Sequence, residues 1–154
     1  MKLFLLLSLL LFNQSVIATE IASCHSPSGT AYYPETGLVT KKDSGWSKDK
    51  ISNGLTKLIK NINNEYDILF VDATNKINST VEQGGKVLPF ARGEFSVSVL
   101  TIYPGQTAEI YTFLKTTPGK YEYIHMTNRP GSIALITKAS LLVGECDIIN
   151  FNNL

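Results

Sequence analysis

The sequence predicts an all-β domain, an antiparallel meander folded as a small sandwich or barrel with room for one short helix. Three observations carry that expectation. Segments rich in Val, Ile, Tyr and Phe recur at short, fairly regular intervals, as strands of such folds do. Pro-Gly punctuates them three times, at Pro104-Gly105, Pro118-Gly119 and Pro130-Gly131. Proline presets φ for the first central turn position, and glycine accepts the positive φ that a type II turn then needs. Strands joined in sequence by short turns pair antiparallel.

The chain opens "MKLFLLLSLLLFNQSVIATE". Lys2 precedes a ten-residue run, Leu3 to Phe12, that only Ser8 interrupts. Val16 and Ala18 place small or short side chains before Thr19. This is the three-part layout of a secretory signal, and the run falls short of the roughly 20 apolar residues that span a bilayer. Residues 1–18 are therefore expected to be a signal peptide, leaving 19–154 as one domain, secreted or periplasmic, with no transmembrane segment in the mature chain. A minor alternative is a lipid anchor, because Ile21-Ala22-Ser23-Cys24 resembles a bacterial lipobox. Charged Glu20 separates that motif from the apolar run, and lipidation would leave Cys146 a lone thiol.

Cys24 and Cys146 are the two cysteines. An even count in an exported chain favours a disulfide. The bridge would close a separation of 122 residues, for which the loop-entropy relation gives about 4–5 kcal/mol. No CxxC pair argues for redox chemistry.

Along the mature chain, "CHSPSGTAYYPETGLVTKKDSGWSKDK" reads as turn-rich, with short edge strands at Tyr32-Tyr33 and Gly37–Thr40. "ISNGLTKLIKNI" has apolar residues at helical spacing, but Gly54 inside it costs about 1 kcal/mol in a helix. A strand returning through "NINN" to "EYDILFV" is the preferred reading. "EYDILFVDAT" is apolar on both alternating sets, as a central strand buried on both faces would be. Asp72 then serves the following turn. "INSTVEQ" alternates with one wet face, and Asn78-Ser79-Thr80 matches the glycosylation sequon. "KVLPF", "EFSVSVLTIY", "TAEIYTFLK", "YEYIHMT" and "IALITKASLLVGECDII" complete the strands.

For the hairpin around Pro104-Gly105 the pattern selects a register. Pairing Tyr103 with Thr107 puts Leu100, Ile102, Ala108 and Ile110 on one face, and Val99, Thr101, Tyr103, Glu109, Tyr111 and Phe113 on the other. A one-residue slip would exchange the faces.

Composition narrows the function. Lys and Arg number 14, Asp and Glu 13; loss of the signal removes Lys2 and no acid, so the mature chain has a formal charge of zero. Nucleic-acid binding needs a basic footprint that this chain lacks. No GxSxG, HExxH or phosphate-binding glycine loop occurs. His25 and His125 are the only histidines, neither with a second ligand nearby in sequence, so neither a metal nor another cofactor is expected. Asp67, Asp72, Glu94 and Glu109 are candidates for paired-carboxylate chemistry, with Glu94 and Glu109 read more simply as solvated strand residues. For binding, the candidates are Trp46, placed in a polar loop and expected to fold back against the core, with Tyr103, Tyr111 and His125. The reading is an exported, non-catalytic β-domain that binds a protein or a small or sugar ligand. The alternatives are a small secreted hydrolase and an envelope-structural subunit that pairs through an edge strand.

Overall fold

The computed structural model describes residues 18–71, 74–117, 119–130 and 136–154. The Asp72 turn and Gly131 lie outside those residues, as does nearly all of the expected signal peptide. Ten strands are seen: β1 (Thr19–Tyr33), β2 (Gly45–Lys50), β3 (Leu55–Lys60), β4 (Tyr66–Val71), β5 (Ile77–Ser79), β6 (Lys86–Arg92), β7 (Ser96–Tyr103), β8 (Thr107–Thr117), β9 (Lys120–Arg129) and β10 (Lys138–Ile149). All join one antiparallel sheet in the order β5-β4-β3-β1-β10-β9-β8-β7-β6, with β2 on the remaining part of β1. The sheet curls into a half-barrel, so the all-β meander is realised as one sheet folded on itself rather than two stacked sheets. The segment at Ile51–Ile62 is strand β3 and its flanking turns. A single 3-10 turn, Phe151–Asn153, is the one helical feature among the described residues. No helix among them is long and apolar enough to cross a membrane.

Two meanders, β3–β5 and β6–β10, flank β1. That placement corrects the reading of the first mature segment as turns. Its Pro27, Ser26 and Gly29 sit inside a fifteen-residue central strand. The register shift between His25 and Ser28 absorbs Ser26 and Pro27, with Ser26 at φ 52°, while Gly29 is paired with Leu142. A bulge is where a strand tolerates proline. It also lets β1 change partner, from β3 over Thr19–His25 to β2 over Ser28–Tyr33. Gly37–Thr40 forms no strand. A second correction concerns β4, which is next to the edge strand β5 and only half-buried apart from Ile68.

The turn chemistry is as expected where it is described. Asn61 Oδ1 accepts from the backbone N–H groups of Asn63 and Glu65, closing "NINN". The β7–β8 hairpin pairs Tyr103 with Thr107, Gly105 takes φ 73°, and the Gln106 N–H donates to the Tyr103 carbonyl.

The concave face holds the core: Ile21, Leu58, Ile68, Val97, Val99, Phe113 and Tyr123 are all buried. Tyr123 crosses the interior, its hydroxyl 3.4 Å from Thr56 Oγ1 on β3. The sheet's two ends meet where Thr80 Oγ1 lies 3.0 Å from the Tyr103 hydroxyl. Gly144 on β10 makes room for the Tyr123 ring. A Cβ there would lie 2.3 Å from Tyr123 Cε1 and 2.6 Å from the His25 carbonyl oxygen.

Cys24 and Cys146 form a disulfide. They are cross-strand partners on β1 and β10, at the seam between the meanders and beside the bulges that weaken its ladder. Replacing both by Ala is expected to lower stability by about 2–4 kcal/mol, read as a lower urea midpoint than wild type under non-reducing conditions. Gly144→Ala should cost about 1–3 kcal/mol by overpacking, measured by the same unfolding curves with the disulfide intact.

Candidate functional site

Alternation along β7–β10 sends every second side chain into the half-barrel, and the registers align them in transverse rows. The first row is Val97, Phe113, Tyr123 and Gly144; the second Val99, Tyr111, His125 and Leu142. The third is Thr101, Glu109, Thr127 and Ser140. Beyond it stand Tyr103, Thr107, Arg129 and Lys138. Polarity rises row by row along the interior. The first row is packed core; the last opens on a cleft of about 360 Å³ walled on its apolar side by Leu55, Phe70 and Leu142.

The third row is buried although every member is polar: Thr101 at 0%, Glu109 at 9%, Thr127 at 7% and Ser140 at 8% exposure. Buried polar groups cost free energy unless hydrogen-bonded. Glu109 is the best provided. Its Oε2 accepts from the Tyr111 hydroxyl at 2.6 Å and lies 3.4 Å from His125 Nε2. Thr127 Oγ1 is 3.0 Å from the same Nε2, and the Tyr111 ring stacks on the imidazole with centroids 4.3 Å apart. Thr101 Oγ1 has no hydrogen-bond partner among the described residues.

These contacts set the ionisation of the floor. Burial alone would raise the Glu109 carboxyl, but the hydrogen bonds and charge of His125, the Tyr111 hydroxyl and the Arg129 charge outweigh it, leaving its pKa below the ordinary carboxylate value. Glu109 is thus a buried anion. Burial, then the Glu109 charge and hydrogen bond, push the Tyr111 phenol well above its usual range. Burial likewise pushes Tyr123 up to about 12.

The geometry bears on the choice between catalysis and binding. A nucleophile–imidazole–acid relay needs the nucleophile on one ring nitrogen and the acid on the other. Here Thr127 and Glu109 share Nε2, so the imidazole cannot pass a proton from one to the other along that axis. Glu109 is the single carboxylate among the described lining residues, whereas glycoside hydrolysis ordinarily uses two. Among the described residues no three His, Cys, Asp or Glu side chains cluster as metal ligands would.

Of the sequence candidates, Tyr103, Tyr111 and His125 come together at this cleft. Trp46 does not. It lies on strand β2, not in a loop, and is 74% exposed on the outer face instead of folding back. There it touches Tyr32, ring centroids 5.4 Å apart, and borders a shallow apolar groove with Leu100, Ile110, Met126 and Leu141. The expectation of Glu109 as a solvated strand residue is also corrected. Curling of the sheet buries it, because it shares the face of Tyr111 and Phe113. That shared face was the available signal for Glu109, and alternation in "YIHMTNR" was the signal for Thr127 and Arg129. Comparison with protein-family models, curated proteins and solved structures finds no match to this chain.

Stability should follow the floor's ionisation. Glu109 has a depressed pKa, so its contribution is present above the unfolded carboxylate pKa and disappears as pH falls through the folded value. Tyr111 and Tyr123 have raised pKa values, so their contribution is complete below pH 10 and is lost as pH rises through the folded values, about 12 for Tyr123. Urea unfolding followed by far-UV circular dichroism is expected to show both flanks. Tyr111→Phe should flatten the alkaline flank and cost about 1–3 kcal/mol at neutral pH by unpairing Glu109.

Proposed function

We propose that this is an exported, non-catalytic β-domain protein that binds a small polar molecule in the cleft at the mouth of the half-barrel. The observation that carries the reading is the buried polar row Thr101–Glu109–Thr127–Ser140. A core needs no such row, and apolar residues of similar size would stabilise the fold more. A ligand that hydrogen-bonds to the row gives the polarity a use. The cleft's volume falls within the range of small-molecule sites, roughly 300–1,000 Å³. Export is supported by the Cys24–Cys146 bridge, which suits an oxidising compartment.

The shared Nε2 contact and the single lining carboxylate weigh against a hydrolase. Edge-strand assembly is opposed by the edges themselves. β5 has three residues, and β6 carries Lys86, Pro89 and a register shift at Pro89/Ala91. Short length, charge, proline and bulges are the devices that discourage edge pairing.

The test is a thermal-shift screen of wild type and Thr127→Val against small polar metabolites. A ligand at 100 times its Kd should stabilise wild type by about 2.7 kcal/mol, and Thr127→Val should bind it at least tenfold more weakly. Hits that act equally on both proteins, or no hit at all, would sink the reading.

A further inference from the structure

We infer that the ligand is a small zwitterion, an amino acid with an apolar side chain, its ammonium seated on Glu109 and its carboxylate on Arg129. The inference rests on the cleft reading above and concerns which groups of that cleft are already spent.

Lys138 is spent: its Nζ donates to Asp49 at 2.9 Å. Glu109 is half spent. Oε2 takes the Tyr111 and His125 contacts. Oε1 has no protein donor among the described residues, and it is not among the sealed, unsatisfied atoms, so it faces the cleft. Arg129 lines the same cleft and makes no ion pair among the described residues. One anion at the floor and one cation at the rim therefore have unused hydrogen-bonding capacity.

Their placement fits. Glu109 is opposite Thr127, and Arg129 lies two residues farther along β9 on the same face. Such diagonal neighbours stand about 7–8 Å apart at the backbone, and although both side chains line one cleft, no direct Glu109–Arg129 ion pair forms. An amino acid, with a short carbon bridge between its charges, can join them by two charge-assisted hydrogen bonds of about 2.8 Å. Arg129 offers the planar fork that accepts a carboxylate. Beside this axis Leu55 and Phe70 supply the apolar wall against which a side chain would pack.

Other ligand classes fit less well. A free phosphate would meet the Glu109 charge and a single unspent cation. A divalent cation would find one carboxylate. A neutral sugar would leave both charges desolvated without an opposite charge, which is costly.

Isothermal titration calorimetry near neutral pH tests this with four probes: L-leucine, N-acetyl-L-leucine (no ammonium), L-leucinamide (no carboxylate) and glucose. Leucine is expected to bind. Each blocked analogue should bind about 10–100-fold more weakly, the worth of one charged hydrogen bond, and glucose should show no heat. Arg129→Gln, a rim change that breaks no hydrogen bond of the floor, should weaken leucine without weakening leucinamide. Glu109→Gln should weaken leucine but leave N-acetyl-leucine unchanged. Equal binding of leucine and the blocked analogues, binding of glucose in place of leucine, or an unaltered leucine affinity in Arg129→Gln would overturn the zwitterion while the cleft reading stands. Silence of all four probes while the metabolite screen yields another cleft ligand would overturn it too. Silence in both experiments would overturn the cleft reading itself.

Discussion

The pairing of β1 with β10 is the constraint on which the rest of this fold depends. The first strand of the domain lies in the middle of the sheet, and its partner is the last. Each meander can form from local hairpins, whose loop-closure cost is small. The seam between them closes nearly the whole chain. Sequence separation raises that entropic cost only slowly, but it must be met before any contact across the seam forms. The seam also carries two bulges, one at Asp147 on β10 and one at Ser26-Pro27 on β1, which remove ladder bonds. The disulfide sits there, where the backbone is least able to hold itself.

Because one sheet is curled on itself, its concave face must serve two purposes. Near one end the rows close on each other and behave as a core, with Phe113 and Tyr123 at zero exposure. Toward the other end the walls part and the same alternating positions line a cleft. The change from Val97 and Val99 to Thr101 along β7, and from Phe113 and Tyr111 to Glu109 along β8, follows that opening. Tyr111 mediates between the two environments. Its ring continues the stack from Phe113 to His125, and its hydroxyl faces Glu109. The side chains that make the cleft polar are therefore fixed by the aromatic packing beneath them.

This division explains what could be read in advance. The β7–β8 register was legible because alternation is strict and a slip would exchange two chemically different faces. Tyr103 and Tyr111 share a face in that register, and alternation in "YEYIHMT" puts His125 on the face of Tyr121 and Tyr123. The direction of curvature did not, since nothing local says which face of a sheet becomes its inside. Val99 and Phe113 faced inward, while Leu100, Ile110, Met126 and Leu141 were left on the outer surface. The burial of Glu109 is hidden for the same reason: a lone acid among aromatics looks solvated until the sheet curls over it. β1 was obscured differently. Ser26, Pro27 and Gly29 are turn formers by local chemistry, and only long-range pairing on both sides makes them a bulged strand. Trp46 reads as a loop residue because β2, with Lys48, Asp49 and Lys50, has almost no strand propensity of its own; it exists by pairing with Ser28–Tyr33 of β1.

The polar row also bears on the kind of function such a site can have. Catalysis by proton transfer needs a group that is free to change its state during the reaction. In this cleft two groups of the floor, Glu109 and Tyr111, are arranged to hold their state. Glu109 is kept ionised by the groups around it, and Tyr111 is kept neutral. The His125 ring is held in position by stacking and by two contacts at one nitrogen. A site whose charges are pinned in place is suited to recognition, since the desolvation and ordering of its own groups are met in the folded protein before a ligand arrives. Thr101 and the open oxygen of Glu109 are exceptions on the floor, as Arg129 is at the rim. Among the described residues their hydrogen-bonding capacity is left unused by the fold.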